Sequence, residues 1–498
     1  MNILLTTINS RYHHSSFGLR YLYANLEELQ PQAQIMEFVL GKNPRDIAES
    51  LLAKNPKIIG IGVYIWNTTQ VLELVSHLKK IAPEVIVVLG GPEISYETEG
   101  QELYRLCDFV VKGEAEFLFR DLCRKLLSPG DHPLPKLVSG PLPNIDEIKF
   151  PYEYYSDEDI AHRVIYVEAS RGCPYKCEYC LSSLDTSVRN FKVDLFLAEM
   201  QKLLDRGARS FKFVDRTFNL SPSISGKIME FFSRHIDLGL FLHFEMVPDR
   251  LPSELREWIK KFPEASLQFE VGVQTWNPVV AANVSRRQDY TKIVENFRFL
   301  HDETGVHTHA DLIVGLPGET KESFGQGFDA LSKCQVDEVQ VGILKRLKGT
   351  PVIRHDQNFK MVYSDQPPFQ ILKNKDISFA EMQKLVRFAQ FWDLYANSGN
   401  FRSLMAHFRQ EADEQCSGSL FAMFWSFSEF LTARHGQTHA LSRGSLMESA
   451  QAYLISQGLS QSQAENIACA PTKKMKVSDA LIVAAAKTKA SQRQQKHH

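Results

Sequence analysis

The chain has 498 residues, more than one hydrophobic core usually supports, so two or three domains are expected. With 44% hydrophobic and 23% charged residues it has the balance of a soluble globular protein, which excludes a disordered or fibrous one, and a net charge of −2 argues against a protein that coats nucleic acid. No apolar run reaches the ~20 residues of a membrane-spanning helix, and Met1-Asn-Ile-Leu-Leu lacks the basic flank and long apolar stretch of a secretion signal; a cytoplasmic protein without a membrane partner is expected.

From Ile3 to Leu127 short apolar runs alternate with helical patterns, as in a parallel sheet covered by helices. Strands are predicted at Ile3–Ile8, Ile35–Val39, Ile58–Val63, Val85–Leu89 and Phe109–Val111, and helices at Gly18–Leu29, Arg45–Lys54, Val71–Ile81 and Glu114–Leu127. The stretch Ser128-Pro-Gly-Asp-His-Pro-Leu-Pro135, followed by Gly140-Pro-Leu-Pro143, marks a boundary. Residues 1–140 are therefore assigned to a doubly wound, Rossmann-like domain.

A second alternating series begins at Val164. Strands are predicted at Val164–Glu168, Phe211–Val214, Leu240–Met246, Leu267–Val273, His307–Val314 and Glu338–Ile343, which suits a full or partial (β/α) barrel over residues 141–377 with ligands at the strand C-terminal ends. Beyond Ser378 the strand signal fades. Aromatic-rich amphipathic stretches at Phe379–Asn397 and Phe421–His435 predict a helical C-terminal region over 378–498, its Met and aromatic stripes serving as core. The end, Pro471–His498, carries Lys473, Lys474, Lys476, Lys487, Lys489, Arg493 and Lys496 against Asp479, and is read as a solvated terminus. The fold class is α/β, with a helical C-terminal region.

The eight cysteines do not have the spacing of a secreted disulfide framework, so reduced thiols are expected. Three of them crowd into Ser170-Arg-Gly-Cys173-Pro-Tyr-Lys-Cys177-Glu-Tyr-Cys180, directly after a predicted strand. Soft sulfur ligands on so short a span suit an iron–sulfur or a zinc centre. A structural zinc site usually takes two ligand pairs, and no second pair stands at suitable spacing in the sequence. Three thiolates round a cubane cluster leave one iron open, and an open position is what a substrate-binding metal centre needs.

This segment resembles the radical SAM superfamily, marked by Cys-x-x-x-Cys-x-x-Cys with an aromatic residue, here Tyr179, before the last cysteine. The resemblance implies a 4Fe-4S cluster on Cys173, Cys177 and Cys180 whose open iron is chelated by S-adenosylmethionine (SAM), and reductive cleavage of SAM to a 5′-deoxyadenosyl radical. Phe213-Val-Asp215-Arg-Thr-Phe-Asn219 resembles the second-strand segment of cobalamin-type and methylthiolating members, implying Asp215 and Asn219 as acceptors for the SAM ammonium. Glu270-Val-Gly272-Val-Gln274 with Arg286-Arg287 resembles the fourth-strand segment, implying Glu270 or Gln274 against ribose and Arg287 on the SAM carboxylate. Leu312-Ile-Val-Gly315-Leu-Pro-Gly318-Glu319 resembles the fifth-strand segment beside adenine, with Gly315 at the contact.

Upstream, Val87-Val-Leu-Gly90-Gly91-Pro92-Glu93 and Phe109-Val-Val-Lys-Gly113-Glu114-Ala-Glu116 resemble the cobalamin-binding domain that precedes the radical module in one large subgroup. Gly90, Gly91, Pro92, Glu93, Gly113 and Glu114 are then expected against cobalamin, the glycines letting the backbone lie close to its nucleotide tail. The loop Asn9 to Gly18 lacks the Asp-x-His-x-x-Gly of domains that supply a cobalt ligand, so neither His13 nor His14 is expected on cobalt, and Tyr64, Trp66 or Asn67 would face the corrin instead. The resemblance, to class B radical SAM methyltransferases, implies methylation of an unactivated centre of an unknown substrate. Radical rearrangement, oxidation or cyclisation is the alternative, and a non-catalytic cobalamin or redox sensor a third. A reducing partner such as flavodoxin or ferredoxin is implied, and no catalytic side chain singles itself out.

Overall fold

The computed structural model describes residues 1–130 and 133–468; the basic tail and Cys469 lie outside the described residues. The first unit runs β1 (Ile3–Asn9), α1 (Phe17–Ala24), β2 (Ala33–Val39), α2 (Pro44–Leu52), β3 (Ile58–Gly62), α3 (Thr68–Ile81), β4 (Ile86–Gly90), α4 (Glu102–Leu106), β5 (Phe109–Val111), α5 (Glu116–Leu127) and β6 (Leu137–Val138). The strands form one parallel sheet in the order β2-β1-β3-β4-β5-β6. Every residue of β1 and β3 is buried, as in strands covered on both faces. Ile47, Val71, Leu74 and Leu103 pack one face under α2, α3 and α4, while Leu19, Phe119 and Leu122 pack the other under α1 and α5. Strand order reverses between β1 and β3, which opens a crevice at the strand C-terminal ends.

A connector leads to α6 (Asp157–His162), whose capping box pairs Ser156 with Asp159. The two units are pinned here by Arg20 of α1, buried between Glu37 at 2.6 Å and Asp159 at 2.7 Å.

The second unit runs β7 (Ile165–Val167), β8 (Ser170–Arg171), β9 (Arg189–Asn190), α7 (Val193–Asp205), β10 (Ser210–Phe213), α8 (Pro222–Ser233), β11 (Phe241–Met246), α9 (Ser253–Ile259), β12 (Leu267–Gln274), α10 (Pro278–Asn283), α11 (Tyr290–Glu303), β13 (His307–Val314), α12 (Lys321–Ser332) and β14 (Glu338–Ile343). Six parallel strands in the order β7-β10-β11-β12-β13-β14 curve into a partial barrel, β7 and β14 forming its two edges. Alternation divides the side chains: Leu267, Phe269, Val271 and Val273 of β12 are buried under the helices, whereas Gln268, Glu270, Gly272 and Gln274 face the lumen side. The short antiparallel ribbon β8–β9, which pairs Ser170 with Asn190 and Arg171 with Arg189, has no counterpart among the predicted strands.

The described residues end with the hairpin β15 (Val362–Tyr363) and β16 (Ile371–Lys373), then α13 (Phe379–Trp392), α14 (Arg402–Gln415), α15 (Leu420–His435), α16 (Arg443–Ser456) and α17 (Gln461–Ala468). These helices do not build a core of their own. Phe328 of α12 sits among Phe388, Trp392 and Phe421 with ring centroids 5.3, 4.7 and 6.0 Å away, and one apolar cluster runs from Tyr152 to Ala468. The division at 377/378 therefore separates no two cores.

Candidate active site and its two cavities

The ribbon β8–β9 closes a loop, residues 172–188, that carries the three cysteines past the end of β7. Gly172 has φ +87°, and a Cβ there would collide with the Ser187 carbonyl oxygen, so only glycine lets the two sides of the loop meet. The Cys173 N–H donates to the Asp185 carbonyl at 3.0 Å and the Cys180 N–H to the Cys177 carbonyl at 3.0 Å. Glu178, buried between two cysteines, fixes the loop from the far side. Its carboxylate accepts from Ser285, Arg354 and His355 (2.9 Å to Nε2), its N–H donates to the Val284 carbonyl at 3.1 Å, and its own carbonyl accepts from the Val352 N–H at 3.0 Å.

Cys173, Cys177 and Cys180 line one cavity of about 240 Å³ at the barrel mouth, with Tyr179, Arg216, Glu245, Glu270, Gln274, Arg286, Arg287 and Asp311. Three of its carboxylates, Glu245, Glu270 and Asp311, come from three adjacent strands. Glu245 pairs with Arg216 at 3.0 Å. Burial alone would raise the Glu270 carboxyl, but the His243 ring at 3.0 Å and Lys212 at 3.6 Å outweigh it and hold it down at about 2. Asp311 moves the other way: burial, then the charges of Glu270 and Glu245, push its carboxyl well above the ordinary range, and its buried Oδ1 has no hydrogen-bond partner. The Arg286 guanidinium reaches the Cys177 Sγ and the Tyr179 hydroxyl, each at 3.4 Å, the Gly272 carbonyl and, at 2.9 Å, the Gln288 Oε1. A bulge between Gly272 and Gln274 leaves Gln274 at φ 73°, a strained backbone for a non-glycine residue on the wall of a cavity.

Other expected contacts lie elsewhere. Asp215 accepts from the Ala169 N–H (3.0 Å) and the Ser170 hydroxyl (2.6 Å), so it braces the exit of β7 and is turned away from any ammonium; burial lifts its carboxyl to about 7. Asn219 is spent on the loop after β11, accepting from the Val247 N–H at 2.8 Å and donating to the Val247 carbonyl at 2.9 Å and to the Arg250 carbonyl. Gly315 packs against Ile371 and Met382, away from the cavity wall, because its positive φ and lost Cβ serve the contact with β16 and α13. Arg287 stands exposed at the rim, one residue from the enclosed Arg286.

Glu319, at the end of the fifth-strand segment, is buried and accepts from the Thr275 hydroxyl at 2.7 Å; burial raises its carboxyl from 4.5 to about 7. The folded state therefore holds this proton more tightly than the unfolded one, and its stabilising effect is complete below the unfolded value and is lost as pH rises through about 7. A fall of about 3 kcal/mol in unfolding free energy from this group between pH 4 and pH 8 is expected. Urea titrations of wild type and Glu319→Gln should differ by that slope, and parallel pH curves would refute it.

A second cavity, of about 280 Å³, opens at the C-terminal edge of the first sheet. Tyr64, Gly90, Gly91, Gly113 and Glu114 line it, as do Glu116 and Phe119 of α5 and, from the barrel unit, Glu168 and Arg171. A Cβ on Gly91 would come within 2.6 Å of the Val63 carbonyl oxygen, so the loop needs glycine there. Glu116 is buried with an unpartnered Oε2 beside this space. Four expected contacts are not on its walls. Asn67 is buried beneath the rim, donating to the Ile8 and Gly62 carbonyls at 3.1 Å each; Trp66 lies outside, stacked on Tyr64 at 4.6 Å. Glu93 is committed to an ion pair with Lys348 of the barrel unit, and Pro92, beside it, is also absent from the walls. His14 meets the Tyr166 hydroxyl at 2.5 Å, and burial together with His13 lowers it to about 4; neither histidine lines the cavity.

Residues 3–122 match the B12 binding domain and residues 167–331 the radical SAM superfamily. The chain joins a cobalamin-binding domain to a radical SAM domain. Residues 357–482 match a domain of unknown function, DUF4080. Among its relatives, the uncharacterized methyltransferase PH0819 of Pyrococcus horikoshii is 23% identical over 412 residues, 74% of this chain and 85% of the relative. The cobalamin-dependent radical SAM methyltransferase TokK of Streptomyces tokunonensis is 23% identical over 320 residues, covering 55% of this chain and only 45% of TokK. The cobalamin-dependent SAM radical enzyme OxsB, solved with aqua-cobalamin, shares the fold with a TM-score of 0.64 at 12% identity over 97% of this chain and 84% of OxsB.

The cofactors are thus a 4Fe-4S cluster, SAM and cobalamin, and the residues present fit them. The three thiols share one cavity wall, as soft ligands of an iron–sulfur cluster would. The glycine-lined second cavity, with its orphaned carboxylate oxygen, suits a ligand rich in hydrogen-bond donors.

Proposed function

We propose that the chain is a cobalamin-dependent radical SAM methyltransferase acting on an unactivated centre. One observation carries the reading: the segment from Glu168 to Cys180 lines the second cavity with its first residues and the cysteine cavity with its last, so the two cofactor spaces sit on either end of one short stretch of chain. Holding two reactants side by side is worth about 7–11 kcal/mol of barrier in favourable cases. When bound, the cluster supplies the electron that cleaves SAM, and cobalamin supplies a carrier for a methyl group.

In this reading Cys173, Cys177 and Cys180 hold the cluster. Glu245, Glu270, Gln274, Asp311 and Arg286 orient SAM, Arg286 replacing Arg287 on the carboxylate because it lies against Cys177 while its neighbour stands at the rim. Tyr64, Gly90, Gly91, Gly113, Glu114 and Glu116 receive cobalamin. A further space of about 250 Å³, sharing Tyr179, Glu270, Gln274 and Asp311 with the cysteine cavity and running to Gln340 and Lys345 along the edge strand β14, is assigned to the methyl acceptor. The domains are placed at 1–140 and 141–377, with the helices from 378 onward as a buttress of the barrel. A cytoplasmic location and a one-electron carrier such as flavodoxin or ferredoxin complete the reading.

The test is anaerobic reconstitution with iron, sulfide and hydroxocobalamin, followed by reduction in the presence of SAM labelled in its methyl group. Label in the corrin fraction with matching S-adenosylhomocysteine supports methyl transfer. 5′-Deoxyadenosine without labelled corrin supports rearrangement, oxidation or cyclisation, and neither product supports a sensor.

A further inference from the structure

Glu114 follows Gly113, which has φ +85°, at the C-terminal end of β5 and lines the second cavity. Its carboxylate is held by two arginines at once: Oε2 accepts from the Arg171 Nη1 at 2.8 Å, and Oε1 pairs with Arg189. Those two arginines face each other across the ribbon, Arg171 on β8 and Arg189 on β9. Arg171 also bridges Glu116 and Glu168, each at 2.8 Å, and its guanidinium lies 4.6 Å over the Tyr21 ring, so it is fixed from both units. Arg189 continues to the Asp185 carboxylate at 3.1 Å, and the Asp185 carbonyl is the acceptor for the Cys173 N–H. Gly172 alone separates Arg171 from Cys173.

One carboxylate of the first unit therefore closes both strands of the ribbon that closes the cysteine loop, and the same carboxylate borders the cobalamin space. We infer that Glu114 is a positioning residue that couples the two cofactor sites; the inference rests on the cofactor assignment above. A ligand in the second cavity displaces water from Glu114 and Arg171, which strengthens their ion pair and with it the ribbon. A ribbon held shut by a cluster keeps the arginines aligned and the carboxylate in place for the ligand. Coupling of this kind is reciprocal: each cofactor changes the affinity for the other by the same factor.

The measurement is the dissociation constant of hydroxocobalamin, from optical titration, on the full chain with and without its reconstituted cluster. It is paired with the extent of iron loss to a ferrous chelator with and without hydroxocobalamin. In the wild type the cluster should tighten hydroxocobalamin binding about tenfold, and hydroxocobalamin should protect the iron. Glu114→Gln should bind hydroxocobalamin with a constant that no longer depends on the cluster. Arg189→Gln, which cuts the link outside the cavity, should lower the ratio in the same way, whereas Glu27→Gln, in a surface ion pair with Arg124, should keep the wild-type ratio. A wild-type ratio near one, or variants at Glu114 and Arg189 that keep the full ratio, would overturn the inference. A wild type that binds no hydroxocobalamin in either state would overturn the cofactor assignment and the inference with it.

Discussion

Gly172→Ala is expected to leave a folded protein that assembles almost no cluster. The new methyl group would stand inside the van der Waals envelope of the Ser187 carbonyl oxygen, a backbone atom with no rotamer to yield, and alanine at φ +87° costs about 1–3 kcal/mol besides. Relief requires the ribbon β8–β9 to part, which takes the Asp185 carbonyl away from the Cys173 N–H and releases the first ligand. The barrel core does not depend on this loop, since Phe196, Phe213, Phe244 and Phe269 pack behind it. Iron and sulfide per chain should therefore collapse while circular dichroism and the urea midpoint stay near wild type; wild-type iron content in this variant would show that the loop closes in another way.

Arg286→Gln is expected to weaken S-adenosylhomocysteine, a non-cleavable stand-in for SAM, by about 100-fold, the ~3 kcal/mol of a lost charge-assisted hydrogen bond in an enclosed site. Glutamine removes the charge and adds no bulk, and because its amide ends about where the Arg286 Nε stands, the Nη2 bond to the Gly272 carbonyl is lost with the charge. Arg287→Gln is the internal comparison, because that residue has an exposed side chain at the rim and should cost no more than threefold, the scale of a solvated ion pair. Equal losses in the two variants, read by calorimetry on the reconstituted protein, would return the carboxylate contact to Arg287.

All six barrel strands and five strands of the first sheet were legible because most of them bury one or both faces, and burial writes itself into a sequence as alternation or as an unbroken apolar run. The ribbon β8–β9 was not. Two residues per strand carry no period, and its pairing rests on Gly172 and on arginines whose partners lie far away in the chain.

The site was legible as a place more than as a set of contacts. Motifs located the strand ends, but a side chain near a strand end can turn into the mouth or back onto the frame, and the sequence does not distinguish them: Asp215 and Asn219 turned back to satisfy backbone groups, while Glu245 on β11 and Asp311 on β13 line the cavity. For adjacent Arg286 and Arg287 the choice depends on a bulge at Gly272 that gives one of them a carbonyl to hold. Glu178 falls on an unspecified position of the Cys-x-x-x-Cys-x-x-Cys motif. Its role came from Ser285, Arg354 and His355, which only the fold brings to it.

The most direct measurement replaces Cys173, Cys177 and Cys180 together by alanine and follows iron, acid-labile sulfide and 5′-deoxyadenosine after anaerobic reconstitution and reduction with SAM. Loss of the cluster's iron and no 5′-deoxyadenosine above background are expected, with hydroxocobalamin still bound in the first unit. Iron content and 5′-deoxyadenosine equal to those of the wild type would contradict the cluster assignment.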